Sequence, residues 1–361
     1  MKTMFESLDV RFLERKNYTE CWITASENNK ETISTIQNVL DYLNSHVFQI
    51  ISMRLFANKD SITAAKAFLE SKSPKLACKP VLIVENDNIQ TFSMQVHALS
   101  GKQLSAIYFK NEFAGCQFED ENAKYYMLKI LPDNHSVSQF SQAENVFEKS
   151  NNILKSVGCD FSNTIRTWLF ADDILAWYCD LNKARDNFFN TNDIFNKFVP
   201  ASTGIGVAND YGTAIAIQLF AVKPKNDKIK ADVVNSPLQC PALNYKSSFS
   251  RAVKLNSTDH ARLYISGTAS IDIKGKTVFI NDTKAQLEFT MQVVRAILRE
   301  AGMDWRNAVN SMAYFKYSED FHLFDDYCRN ENLKFPNVKV QADVCRDDLL
   351  FELEMDAISQ S

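Results

Sequence analysis

The sequence predicts an α+β fold in which three similar units pack as an internal pseudo-trimer within one chain of 361 residues. Three observations lead there. First, "QAENVFEKSNNILKSVGCDFSNTIRTWLF" (142–170) aligns without a gap on "QLEFTMQVVRAILREAGMDWRNAVNSMAY" (286–314), at an offset of 286 − 142 = 144. Gln142/Gln286, Glu144/Glu288, Ile153/Ile297, Leu154/Leu298, Gly158/Gly302, Asp160/Asp304 and Asn163/Asn307 are identical pairs. Second, "VLDYLNSHVFQIISMRLFAN" (39–58) lies over "ILKSVGCDFSNTIRTWLFAD" (153–172) at an offset of 153 − 39 = 114, with Asn44 replacing the glycine. Third, the copies share one order of elements on either side.

Each copy is preceded by a strand: "ECWITASE" (20–27), "KYYMLKIL" (124–131) and "ARLYISGTASI" (261–271). The repeat itself opens on apolar residues at helical spacing. It stops at Gly158 or Gly302, where a left-handed C-cap favours glycine, and continues as a strand. A second helix follows: "SITAAKAFLES" (61–71), "ILAWYCDLNKARDNFF" (174–189) or "EDFHLFDDYCRNE" (319–331). After a proline-containing loop come two strands. The closing ones are "IQTFSMQVHAL" (89–99), "GTAIAIQLFAV" (212–222) and "LLFELEMDAI" (349–358). In the last, Leu349, Phe351, Leu353 and Met355 alternate with Glu352, Glu354 and Asp356. Units of 1–100, 101–235 and 236–361 result. A single unit leaves one sheet face uncovered, and three units around a pseudo-threefold axis bury it.

Composition narrows the function. Hydrophobic residues are 45% and charged residues 23%, the balance of an ordinary soluble globular protein. A net charge of −4 argues against general nucleic-acid binding, which rests on Lys and Arg neutralising phosphates. Only 9 glycines occur and no GxGxxG or Walker pattern, so a phosphate-cradling loop is not expected. The opening "MKTMFESLDVRFLERKNYTE" lacks an apolar signal core, and no apolar run approaches the length of a membrane span. Cys21, Cys78, Cys116, Cys159, Cys179, Cys240, Cys328 and Cys345 form no CxxC pair, so free thiols and a cytoplasmic setting are expected. His46, His97, His135, His260 and His322 show no ligand spacing, and neither a metal nor a cofactor is expected.

The third unit resembles the RidA/YjgF family in "LYISG" (263–267), "AILREAG" (296–302), "FP" (335–336) and "FELEMDA" (351–357). That family forms homotrimers of one chorismate mutase-like unit, with sites at the subunit interfaces. The resemblance implies that three fused units build the trimer inside a monomer. A longer set of motifs resembles the chorismatase family. These are "RTWLFADDILAWYCDLNKARDNFF" (166–189), "VPASTGIG" (199–206), "NSPLQCPALNYKSSFSRA" (235–252), "YISGTASI" (264–271) and "CRDDLLFELE" (345–354). The resemblance implies that the chain acts on a small molecule, chorismate. It would release pyruvate and a hydroxybenzoate, with 3-hydroxybenzoate expected first and 4-hydroxybenzoate or a dihydrodiol open. One departure stands out: the family's histidines after the SGTASI segment are absent from "DIKGKTVFIND" (272–282).

Chorismate carries two carboxylates and an enol ether. Cleaving it needs cations for the carboxylates and a buried acid of raised pKa that protonates the enolpyruvyl methylene carbon. Glu352 matches the glutamate that the resemblance implies is catalytic. The repeats support it, because Gln95, Gln218 and Glu352 are expected at one equivalent place, followed by His97, Phe220 and Glu354. Glu354 and Asp356 are expected as solvated charges or ion-pair partners. Tyr178, Asn182 and Arg185 form a helical stripe. The motif turns them toward carboxylate binding, with a solvated helix edge as the alternative. Arg166 either reaches the site or forms a structural ion pair. Tyr245 and Arg251 hold the second carboxylate or anchor a loop. Gly267 permits close backbone approach, with Thr268 and Ala269 lining the pocket, or the segment is a plain tight turn. Under the resemblance, Cys345 goes with the hydroxybenzoate-forming branch. Two other functions fit the scaffold: a RidA-like imine deaminase, and a non-catalytic dicarboxylate sensor. The deaminase needs an arginine after the proline of "FP", and Asn337 stands there.

Overall fold

In a computed structural model, which describes residues 8–72, 80–86, 88–245 and 247–360, three six-stranded sheets each carry helices on one face. The first stretch runs β1 (Asp9–Arg15), β2 (Tyr18–Asn28), α1 (Thr32–Ser45), β3 (Gln49–Ala57), α2 (Lys59–Ser71), β4 (Val81–Val84) and β5 (Thr91–Ser100). The second runs β6 (Ser105–Phe109), β7 (Glu112–Glu119), β8 (Ala123–Ile130), α3 (Gln139–Ser156), β9 (Thr164–Ala171), α4 (Ile174–Thr191), α5 (Ile194–Lys197), β10 (Ala201–Gly206), β11 (Ala208–Asn209) and β12 (Ile215–Pro224). The third runs β13 (Lys230–Val234), β14 (Ala252–Asn256), β15 (His260–Ala269), α6 (Thr283–Glu300), β16 (Ala308–Phe315), α7 (Phe321–Asn330), β17 (Val338–Gln341) and β18 (Phe351–Gln360). Sheet orders are β1-β2-β5-β3-β4-β11, β6-β7-β8-β12-β9-β10 and β13-β14-β15-β18-β16-β17. The short β11 leaves the second stretch to pair with β4, tying the first two sheets together. Cys78 lies outside the described residues, and Cys21, Cys159, Cys179, Cys240, Cys328 and Cys345 are free thiols. Among the described residues no helix is long and apolar enough to cross a membrane.

The repeat offsets are visible in the backbone. Where β3, β9 and β16 pair with β5, β12 and β18, one residue drops out of register each time: Ile51, Ile165 and Val309. These are related by 51 + 114 = 165 and 165 + 144 = 309, the two sequence offsets. Gly158 and Gly302 both take positive φ, at 78° and 73°. Asp160 and Asp304 then form matching capping boxes with Asn163 and Asn307. In the first copy the left-handed residue is Val47, not Asn44. α1 runs on to Ser45, so its turn into β3 comes later than the alignment places it.

Helices and sheet of each unit enclose a core of their own. A further core joins all three sheets on the faces away from the helices. It includes Phe56 and Tyr18 of the first sheet, Trp168, Phe170 and Phe220 of the second, and Tyr264 and Tyr314 of the third. This is why the acidic row of β18 is not a solvated face. Glu352 and Glu354 are each 4% exposed, and Glu354 meets Arg54 of the first sheet and Arg166 of the second.

Strand register corrects the equivalence expected from sequence. Phe56, Phe170 and Tyr314 are related by the offsets, and they pair with Ser93, Ala216 and Glu352. Arg54, Trp168 and Met312 pair with Gln95, Gln218 and Glu354. The two glutamines are therefore counterparts of Glu354, and Asp356 is the counterpart of His97 and Phe220. A slip of two residues keeps every side chain on its face, so alternation alone could not detect it. Glu352 still has no acidic counterpart.

Candidate active site

The site forms where the second unit meets the third. Ala201 of β10 bridges Ser250 in parallel, and the Ser202 amide donates to Ser266 Oγ at 2.8 Å. α4 packs against β10, while β15 and β18 pair alongside. Tyr245 and Arg251 supply the remaining wall, and Ser247 and Ser250 reach the second unit at Tyr178 and Ala201.

Glu352 lies in mid-sheet, paired with Ala269 on β15 and Tyr314 on β16. The β15–β18 register slips between Ile265 and Thr268, and Gly267 occupies that bulge. A Cβ on Gly267 would stand 2.0 Å from Glu352 Oε1. The carboxyl thus rests on a patch of backbone that only glycine leaves open. Burial, reinforced by the neighbouring Glu354, raises the Glu352 pKa to about 8 against the pull of Arg166 and Arg251. At neutral pH the group is mostly a protonated acid.

α4 contributes Tyr178 and Arg185 from one face. Its first turn breaks at Trp177, and Tyr178 follows the break. Arg185 Nη2 donates to Asn182 Oδ1 at 2.6 Å, while its Nε is buried without a partner. Tyr178 lies 3.5 Å from Ser247 Oγ. The Cys345 thiol sits within the fields of Glu352, Tyr178, Arg346 and Arg185, and burial with Glu352 pushes it up to about 11. It is therefore a neutral thiol at neutral pH.

Tyr245 lies between two guanidinium groups, 5.2 Å from Arg251 and 5.1 Å from Arg346. Arg251 spends Nε and Nη2 on the Cys240 carbonyl, both at 3.0 Å. Arg346 Nη1 donates to the Gly275 carbonyl at 3.0 Å. Gly275 itself comes within 3.1 Å of Tyr245, measured from an added Cβ. The segment lacking the family's histidines is thus a turn that holds Tyr245 in place, closed by Asp272 accepting from the Lys274 and Lys276 amides.

The structure brings together Glu352, Cys345, Tyr178, Arg185, Tyr245, Arg251, Gly267 and Ala269; Ala269 packs with Tyr245 and Cys345. Thr268 is fully buried and donates to the Ser266 carbonyl at 2.9 Å. Arg166 is also fully buried and takes the ion-pair alternative, with Nη2 2.7 Å from Glu354 Oε2. Arg346 was missed by sequence reasoning, although it adjoins Cys345 in "CRDDLLFELE". Thr203 was missed too, inside "VPASTGIG". Thr203 meets Gly267 across the unit boundary, and Arg346 meets Tyr245 and Gly275 far along its own unit, so neither is announced locally.

Comparison with known proteins first defines the class of fold. A family model described as endoribonuclease L-PSP matches residues 241–359. A putative endoribonuclease L-PSP from Entamoeba histolytica matches 36% of this chain over 98% of its own, at 25% identity and a TM-score of 0.31. RidA from the Antarctic bacterium Psychrobacter matches 35% over 98% of its own, at 21% identity and a TM-score of 0.29. The chain is an α+β protein of three RidA/YjgF-like units fused as an internal pseudo-trimer. One solved structure extends across the fusion. A chorismatase crystal structure superposes on 86% of this chain and 93% of its own, with a TM-score of 0.62 and 16% identity. At that identity the likeness is one of fold. No curated protein matches the sequence.

Proposed function

We propose that the protein is a chorismatase, which cleaves chorismate to pyruvate and a hydroxybenzoate without a cofactor. The observation that carries this reading is a buried, protonated glutamic acid set among arginines where the second unit meets the third. Glu352 has a pKa of about 8, and Arg185, Arg251 and Arg346 surround the same space. Such a cluster suits a dianion, because planar guanidinium groups pair with carboxylates. Glu352 donates its proton to the enolpyruvyl methylene carbon. Captured by the neighbouring ring hydroxyl, which gives up its proton, the oxocarbenium becomes a cyclic ketal. Cleavage of one ring C–O bond with loss of the ring proton from the adjacent carbon then leaves the aromatic hydroxybenzoate, and the oxygen released from the ring becomes the keto oxygen of pyruvate. Capture by water instead gives a hemiketal that expels the ring alcohol as a dihydrodiol. Arg185 with Tyr178 holds one carboxylate, and Arg251 with Tyr245 holds the other. The neutral Cys345 shapes the wall beside the ring, and 3-hydroxybenzoate is the first product expected.

Incubation with chorismate tests this, with pyruvate read by a coupled assay and aromatic products by chromatography. Pyruvate with one equivalent of hydroxybenzoate is the expected result. Binding without pyruvate would instead favour a dicarboxylate sensor. Hydrolysis of imines with chorismate untouched would favour a deaminase.

A further inference from the structure

We propose that Glu354, Arg166 and Thr203 are positioning residues that fix the Gly267 bulge against the carboxyl of Glu352. The contacts form a closed ring that crosses the unit boundary twice. Glu354 lies two residues from Glu352 on β18 and shares its face. Glu354 Oε2 accepts from Arg166 Nη2 at 2.7 Å, and Oε1 accepts from Trp168 Nε1 at 3.1 Å. Arg54 of the first unit approaches the same carboxylate at 3.6 Å. Arg166 Nη2 also donates to Thr203 Oγ1 at 2.6 Å. That hydroxyl accepts the Gly267 amide at 2.9 Å. Gly267 is the backbone on which Glu352 Oε1 lies, and β18 closes the ring back to Glu354.

Each member is buried where a loose alternative would be costly. Glu354 is 4%, Arg166 0% and Thr203 2% exposed. Arg166 already leaves its Nε unpartnered, so the pair is held for its geometry rather than by complete satisfaction of donors. Replacing such pairs by apolar groups is often neutral for stability, which points to a role in specifying structure. Here the structure specified is the seat of the acid. Charge follows the same path. Glu352 faces Glu354 from its own strand, Tyr314 from β16, Arg166 from β9, and Arg251 and Cys345 from the segments that precede β14 and β18. The carboxylate of Glu354 offsets the guanidinium of Arg166, and without it Arg166 would favour ionised Glu352.

The inference rests on Glu352 being the acid of the proposed reaction, so its test reads the carboxyl directly. Carbon-13 NMR of protein labelled at glutamate carboxyls gives the Glu352 titration, assigned by its loss in Glu352→Gln. In Glu354→Gln the Glu352 pKa should fall by about one unit or more. In Thr203→Val the Glu352 signal should shift and broaden, and in Thr203→Ser it should return to the wild-type position. With chorismate, Thr203→Val should lower kcat about tenfold or more at little-changed KM, and Thr203→Ser should restore it. Should Glu354→Gln fail to fold, the threonine pair carries the test alone. Titrations in Glu354→Gln and Thr203→Val that overlay the wild type would overturn the proposal. Absence of chorismate turnover by the wild type would overturn the proposed function and leave the titration result standing.

Discussion

Glu352→Gln should stabilise the protein at alkaline pH and leave it unchanged in acid. Glu352 is buried, and its pKa is raised from 4.5 to about 8. In the unfolded chain it titrates near the ordinary value, so between the two pKa values the folded state binds the extra proton. Its contribution to stability is therefore complete below about pH 4.5 and is lost as pH rises through about 8. A tenfold change in proton affinity corresponds to about 1.4 kcal/mol, giving an upper bound of about 5 kcal/mol; partial water access reduces this to about 2–4 kcal/mol. Glutamine keeps the shape without the titration and should recover that amount. Urea unfolding at pH 5, 7 and 8.5 measures it, with the midpoint difference between variant and wild type widening steadily with pH. A difference that is the same at all three pH values would refute the reasoning, because Glu352 would then titrate alike folded and unfolded.

Other substitutions should separate binding from positioning. Arg185→Ala should raise KM for chorismate about 10- to 100-fold with a smaller change in kcat, since a charge-assisted hydrogen bond contributes about 1.5–3 kcal/mol; an unchanged KM in steady-state assays would exclude a carboxylate contact. Gly267→Ala should lower kcat about 100-fold, because the new methyl would sit 2.0 Å from Glu352 Oε1 and displace it. A wild-type rate in that variant would mean that the carboxyl does not rest there. Away from the site, Glu85 accepts the Gln341 amide at 2.6 Å, and burial raises its pKa to about 8. Glu85→Gln should raise the melting temperature at pH 8.5 but not at pH 5, and equal shifts at both would count against a buried neutral acid there.

The repeat offsets were legible because they lie in long gapless helices and strands, and the matching bulges at Ile51, Ile165 and Val309 bear them out. The closing strands were a different matter. They follow loops of unequal length, and a slip of two residues preserves alternation. Gln95 and Gln218 therefore passed for partners of Glu352 when the ladder assigns them to Glu354. The stripe Tyr178–Asn182–Arg185 could be read from spacing alone, since a helix fixes which side chains meet. Thr203 could not, because it acquires its role from Gly267 of the next unit, and Arg346 could not, because Tyr245 and Gly275 lie 71 residues or more away along the chain. The burial of Glu354 was hidden for a similar reason. Its partners, Arg54, Arg166 and Trp168, come from the first and second units, and no local pattern on β18 announces them.

The most direct measurement is pyruvate release from chorismate at pH 7 by wild type and Glu352→Gln, with chorismate binding followed by calorimetry on both. Wild type should release pyruvate. The variant should bind chorismate within a few-fold of wild type and lose turnover by about 100-fold or more, as expected when a general acid is removed. Turnover by the variant at a near-normal rate, or no pyruvate from the wild type, would contradict Glu352 as the acid that cleaves chorismate.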